Sequence, residues 1–316
     1  MAAATEGYKA LREGAGLLDL TGRGLIALSG EDRVRLLHAM CTNHIEELRP
    51  GEGCYAFLLS AQGRILSDCN VLAGDETLIL DTEPEARQAV AGHLEKYIIA
   101  DDCTVQDLTD SRCVFGVEGP LAERMLQDVT TSALPEPGNW IAWQNGSIAA
   151  LSVTGQPGYR IFADRNQAGG VEGWLMGTGA IPVTPEEIAS VRIENARPKF
   201  GEDFGPANIV HETQLLRAVH FSKGCYLGQE IVERVRSRGQ VNRKLVQFTV
   251  DSAEPPAAGT KILVEGKDVG EITSSAFSPA SGKSVAMGYL RTEVVERKIA
   301  VRAGAMLARA TDRIPA

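Results

Sequence analysis

The chain has 316 residues, 44% of them apolar and 23% charged, with a net charge of −9. Such a length suits one large domain with an appendage, or two to three subdomains, and the apolar-to-charged balance is that of a globular protein. The acidic balance argues against general nucleic-acid binding, no run approaches the roughly 20 apolar residues of a membrane span, and Met1 to Gly7 lacks a basic, apolar leader, so a cytoplasmic protein in a reducing compartment is expected.

Residues 25–28 read as a strand that ends in the turn Gly30-Glu31-Asp32. Asp32 is a candidate cap for a helix whose apolar face is Val34, Leu36, Leu37, Met40 and Cys41. Pro50-Gly51-Glu52-Gly53 is a turn. Two strands are expected at 54–59 and 65–72, joined by the hairpin chemistry of Ala61-Gln62-Gly63-Arg64. A short strand follows at 78–80. Pro84 then opens a helix with Ala86, Val90, Leu94 and Ile98 on its apolar side. A second helix is expected at 121–129, a loop at 133–138, and a weak alternation of strands and helices to about residue 178. Helices are expected from Pro185 to about Asn195 and over 228–237. From Leu245 the composition changes to short strand runs (245–250, 261–264, 285–290, 298–301) separated by Gly, Pro and Ser turns, the pattern of a small all-β barrel or sandwich.

Several motifs carry little chemistry. Gly22-Arg23-Gly24-Leu25-Ile26-Ala27 looks like a dinucleotide fingerprint, but its glycines lead into a strand-like run where that motif needs a helix. Asn145-Gly146-Ser147 reads as a hairpin turn. The six cysteines, at 41, 54, 69, 103, 113 and 225, form no Cys-x-x-Cys pair. His38 and His44 flank Cys41 without finger-like spacing, so no zinc site is expected. The first five cysteines read as small buried hydrophobes.

Other positions carry more. Asp68 sits in a half-apolar strand, as a solvent-facing Asp or as a buried acceptor for a ligand's N–H groups. Arg192 and Glu194 interrupt a mostly apolar helix, on its wet face or turned inward to read a ligand. Arg234, Arg236, Arg238, Arg243 and Lys244 form a basic run, either a solvated face or a local anion site. Cys225 stands between Gly224 and Tyr226, two residues after Lys223 and shortly before a helix start. A neighbouring ammonium and a helix N-terminus both favour thiolate; the plainer alternative is a buried small side chain.

Lys223-Gly224-Cys225-Tyr226-Leu227-Gly228-Gln229-Glu230, continued by Arg234, Arg238-Gly239 and Arg243, resembles the signature of the YgfZ family. These are folate-binding relatives of the glycine-cleavage T-protein that support iron–sulfur enzymes. Arg192-Ile193-Glu194, Phe200-Gly201, Gly63 through Asp68, and Val269 through Ser274 are similar to blocks shared with the T-protein. The resemblance implies an α+β fold of three subdomains, a T-protein-like folate-binding cloverleaf with a C-terminal β-barrel. Two α+β subdomains would occupy 1–244 and the barrel 245–316. It implies tetrahydrofolate as cofactor, bound by Asp68, Glu194, Arg192, Tyr226, Gln229 and Arg234, and a functional pair in Cys225 and Lys223, with Cys225 open to an iron–sulfur contact. The implied role is that of an accessory protein for iron–sulfur cluster assembly or repair, serving clients that include tRNA-modifying enzymes. Partners would be folate and iron–sulfur client or assembly proteins, with no membrane, no direct nucleic acid and a monomeric state. The alternative is an aminomethyltransferase-like one-carbon enzyme. Two departures from the T-protein bear on that alternative: Ser67 stands where the T-protein carries an acid, and the T-protein lacks the lysine–glycine–cysteine block.

Overall fold

The computed structural model describes residues 4–127, 130, 133–239, 241–312 and 314. Three β units make up the chain. A five-stranded sheet has the order Gly53–Leu59, Ile65–Ala73, Thr77–Thr82, Gly24–Ser29 and Thr104–Asp107. A six-stranded sheet has the order Ile181–Pro182, Gly16–Asp19, Arg112–Glu118, Gly158–Asp164, Gly146–Ala149 and Trp140–Trp143. The third unit is a closed six-stranded barrel that opens with the strand Arg243–Val250 and ends with Met306–Thr311. The α+β cloverleaf and its C-terminal barrel are thus as the sequence indicated.

Each unit is built on its own apolar side chains. Helices Arg33–Met40 and Arg87–Tyr97 cover the five-stranded sheet through Leu37, Val90, Leu94, Phe57 and Leu80. Helices Ala122–Gln127 and Ala168–Gly177 cover the six-stranded sheet through Leu126, Leu175 and Ile161. Phe248, Val246, Ile272 and Leu290 fill the barrel. Burial of such side chains supplies the driving force, at roughly 1.5–3 kcal/mol for each fully buried one. Leu25 and Leu72 of one sheet meet Val114, Ala149 and Phe162 of the other. This apolar seam fixes the two sheets relative to one another.

The helix Pro185–Glu194 ties the units together. Thr184 and Glu187 form a reciprocal capping box with Pro185 in the first turn, so its start is strongly specified. At its other end Gln247 of the barrel donates to the carbonyls of Ile193 (2.6 Å) and Glu194 (2.9 Å). Asp203 accepts from Thr273 and Ser274 of the barrel, each at 2.6 Å, and from Arg192, also at 2.6 Å.

Several elements differ from the sequence reading. The helix Glu6–Glu13, capped by Thr5, and the strands Gly16–Asp19 and Arg112–Glu118 lacked a recognisable pattern. Asp32 does not cap the following helix through its side chain; its carboxylate accepts from Asp102 N–H (2.9 Å) and from Arg35. The helix expected over 121–129 is seen as Ala122–Gln127, and Asp128 and Val129 lie outside the described residues. The run expected at 298–301 pairs only from Val301, after a turn with positive φ at Lys298.

Candidate functional site

Alternation along the strand Ile65–Ala73 decides what Asp68 faces. Ile65, Ser67, Cys69 and Val71 are buried in the sheet's apolar side, so Asp68 and Asn70 share the opposite face. The Ser67 side chain therefore points to the face opposite that of Asp68. Its hydroxyl pairs with that of Thr82 at 2.7 Å.

Asp68 opens into a cavity of about 520 Å³ at the junction of the two sheets, a size suited to a small-molecule ligand. Strand Gly53–Leu59 contributes Cys54 and Tyr55 to its wall; Arg197, Lys199 and Arg217 come from the segments after helix Pro185–Glu194. The Tyr55 hydroxyl donates to Asp68 Oδ2 at 2.7 Å. Asp68 Oδ1 is buried and has no hydrogen-bond partner. Burial raises this carboxyl to about 6, with the Glu83 charge adding and the Tyr55 bond opposing. Two other large concavities, one beside Glu6 and Arg124 and one on the barrel flank, hold no such bare buried polar atom among the described residues.

A buried charge network floors the cavity. Asp81 accepts from Arg23 Nε (2.5 Å), Asn70 (3.0 Å) and Arg160 of the other sheet, and Arg23 also pairs with Glu83. Those acids are consumed by their arginines. The Arg217 guanidinium lies over the Tyr55 ring at 5.2 Å, and Arg197 reaches the Ser152 carbonyl at 3.4 Å. Burial pulls the pKa of both guanidiniums down, and for Arg197 the charge of Arg217 adds to the effect. The site thus offers one bare carboxylate oxygen and, in the same wall, two guanidinium groups. It can bind a ligand that carries both an N–H edge and an anionic group.

The other residues singled out in the sequence lie elsewhere. Arg192 reaches the cavity wall, but its guanidinium is held by Asp203 (2.6 Å), Glu202 (2.7 Å) and the Arg197 carbonyl (2.8 Å). Glu194 is not part of this wall. It accepts from Tyr8 (2.8 Å) and Ser278 (2.6 Å), with Arg12 at 3.8 Å, and so joins the N-terminal helix to the barrel. Burial and the Glu194 bond push the Tyr8 hydroxyl up to about 12. Arg234 lies exposed on helix Gln229–Arg238, paired with Glu230 one turn earlier. Gln229, the first residue of that helix, and Tyr226, buried beneath the loop, do not line the cavity either.

The Lys223–Glu230 segment has two faces. Lys223 is buried, and its ammonium donates to the carbonyls of His38 (2.5 Å), Cys41 (2.7 Å) and Asn43 (2.8 Å). Leu227 N–H donates to the Ala39 carbonyl at 3.0 Å. Together they satisfy carbonyls left open at the C-terminal end of helix Arg33–Met40, where a cation is also favoured. Lys223 therefore points inward, towards Cys41 and Cys54, and not towards Cys225 as the sequence suggested. Burial lowers its pKa, and the proximity of Cys41 partly offsets this. Cys225 is exposed, the only exposed one among six free cysteines. It does not line the cavity; the connection runs through Asn43, which is clasped by Lys223 on one side and lines the cavity on the other.

Gly228, with φ of +82°, begins helix Gln229–Arg238. A Cβ there would stand 2.6 Å from the Ser60 carbonyl oxygen and 3.2 Å from Gly63 Cα. Gly63, with φ of +69°, closes the hairpin that precedes Asp68; a Cβ on it would stand 2.6 Å from Ile231 Cβ. Both positions need glycine for conformation and for approach. The contact sets the cysteine loop directly on the Asp68 hairpin.

Sequence reasoning missed Tyr55, Arg197 and Arg217. Only Tyr55 left a signal: an aromatic residue with a donor, on a strand that pairs with the one bearing a half-buried acid.

Residues 1–223 match the GCVT N-terminal domain, and residues 243–313 match the glycine cleavage T-protein C-terminal barrel domain. The chain belongs to the glycine-cleavage T-protein family. It is 29% identical over 303 residues to an aminomethyltransferase of Streptomyces coelicolor, covering 90% of this chain and 80% of that protein. It is 25% identical over 323 residues to a chloroplastic Arabidopsis thaliana protein named as a transferase, covering 98% of this chain and 73% of that one. Its fold is similar to that of the glycine cleavage system aminomethyltransferase T from Bartonella henselae, with a TM-score of 0.90 at 24% identity over 98% of this chain and 88% of that one. Among the described residues no helix is long and apolar enough to cross a membrane.

Proposed function

We propose that this protein is a tetrahydrofolate-binding accessory protein of the YgfZ type, which supports iron–sulfur enzymes through Cys225. The observation that carries the folate reading is the bare Oδ1 of Asp68, buried in a cavity that also holds Arg197 and Arg217. A pterin ring presents adjacent N–H donors to such an oxygen, and folate's glutamyl carboxylates suit guanidinium groups. Bound tetrahydrofolate would supply a reduced pterin able to carry one-carbon units. The chain's own residues would orient it: Asp68 reads the N–H edge, Tyr55 holds Asp68, and the two arginines hold the anionic tail.

The accessory role draws on the Lys223–Glu230 signature and on the exposure of its cysteine. A single reachable thiol serves iron ligation or thiol exchange with a client, tRNA-modifying enzymes among them; the remaining ligands come from the partner. We place this activity in the cytoplasm, with residues 1–244 as the folate-binding domain and 245–316 as the barrel lobe. The decisive experiment combines tetrahydrofolate titration of the purified protein with a client-enzyme assay in cells carrying Cys225→Ala. Saturable binding that needs Asp68, together with loss of client activity in Cys225→Ala, is expected. Absence of folate binding would overturn the first half, and undiminished client activity the second.

A second reading, aminomethyl transfer to tetrahydrofolate, is favoured by the names of the bacterial relatives. Methylene-tetrahydrofolate formation from an aminomethyl donor, dependent on Asp68 and independent of Cys225, would establish it in place of the first.

A further inference from the structure

Helix Arg33–Met40 and the loops around it gather three histidines that the folate cavity does not use. The rings of His38 and His44 meet edge-on with centroids 4.7 Å apart, and those of His44 and His220 at 5.1 Å. One ligand atom each from His38, His44 and Glu46 fall within 4.8 Å of one another. His38 Nε2 faces Glu46 Oε2 at 3.8 Å. The Nδ1 atoms of His44 and His220 are buried and have no hydrogen-bond partner. A buried nitrogen without a partner is costly, and the one on His44 is available to a ligand.

We propose that His38, His44 and Glu46 form a site for one divalent transition-metal ion of the Zn²⁺ class, with His220 packed against His44 to fix its ring. Two imidazoles and a carboxylate are a borderline donor set suited to such ions, and three protein ligands leave one coordination position open. Ligand atoms around a tetrahedral Zn²⁺ lie about 3.4 Å apart when bonds are about 2.0–2.1 Å, so no pair in the set has to close by more than about 1.4 Å on binding. Glu46, with 53% of its side chain exposed, is free to swing inward.

Ile45 N–H donates to His38 Nδ1 at 3.3 Å, so ligation through Nε2 moves the ring proton to Nδ1, gives up that bond and sets two N–H groups against each other, a cost that metal binding has to exceed. The Lys223 ammonium is the nearby positive charge. Glu46, and Glu47 at 3.7 Å from His44 Nε2, bring two negative ones. Lys223 also helps, because its bonds to the carbonyls of His38, Cys41 and Asn43 hold the backbone between the two histidine ligands. A Cβ on Gly224 would lie 3.9 Å from His38 Nε2, so the cysteine-bearing loop passes beside the site.

The test uses the full-length protein, freed of metal by chelation, and Zn²⁺ titrated against a chromophoric chelator. Wild type, His44→Ala, Glu46→Gln and a control, His93→Ala, are compared, with thermal melts to verify folding. One Zn²⁺ per chain is expected, with affinity lowered at least about tenfold in His44→Ala and Glu46→Gln and unchanged in His93→Ala. Should His44→Ala fail to fold, Glu46→Gln decides, since Glu46 is exposed. No stoichiometric binding to wild type, or equal affinity in wild type and Glu46→Gln, overturns the proposal.

Discussion

Tyr55 and Asp68 share a 2.7 Å hydrogen bond that occupies one carboxylate oxygen and leaves the other bare. Asp68→Asn keeps the shape and removes the charge, so tetrahydrofolate affinity should fall by about 1.5–3 kcal/mol, the worth of a hydrogen bond to a charged group. Calorimetric titration measures it. An unchanged dissociation constant would remove Asp68 from the ligand's contacts.

The same substitution should stabilise the free protein at neutral pH. The Asp68 carboxyl lies near 6 in the folded chain and at about 3.9 when unfolded, so the native state holds the extra proton between those values. Stability contributed at this site is greatest below the unfolded value and declines as pH rises through about 6. The penalty at pH 7 is up to about 3 kcal/mol, at about 1.4 kcal/mol per pH unit. Thermal melts from pH 4 to 8 should show a flatter profile for Asp68→Asn than for wild type.

Ligand binding should have the opposite dependence. N–H donors prefer the ionised carboxylate, so tetrahydrofolate affinity should rise as pH rises through about 6 and level off above it. A binding curve flat across pH 5 to 7 would count against the contact.

Lys223→Met should cost stability and leave the neighbouring thiol nearly untouched. Three carbonyls lose a buried charged donor, a loss of about 2–4 kcal/mol. The ammonium points away from Cys225, so alkylation of that thiol by iodoacetamide in the folded variant should proceed at close to the wild-type rate. A large drop in rate would restore the lysine as an activating group.

Gly228→Ala should destabilise by about 1–3 kcal/mol from its left-handed backbone alone, with the contact to the Ser60 carbonyl adding to this. Denaturant melts of Gly228→Ala and Gly63→Ala should both show the loss. The double variant should cost less than the sum, because the two positions share one contact.

Much of the fold was legible because its signals are local. The hairpin at Gly63, the helix that opens at Pro185 and the turn-rich barrel all write their geometry into a few adjacent residues. The site was legible only where chemistry and position coincide, as at Asp68. Glu194 and Lys223 resisted because their partners, Tyr8 and Ser278 in one case and the carbonyls of 38–43 in the other, are far away in sequence. His38 and His44 are visible in the sequence and are set aside there for want of finger-like spacing; what spacing could not show is that their rings meet edge-on and that His220, some 180 residues later, closes on His44.

The abutment of Gly63 on Gly228 leaves no slack between the two turns. Neither can be lengthened, tagged or grafted on its own without prising the other loose. Engineering at this corner has to treat the hairpin and the cysteine loop as a single part.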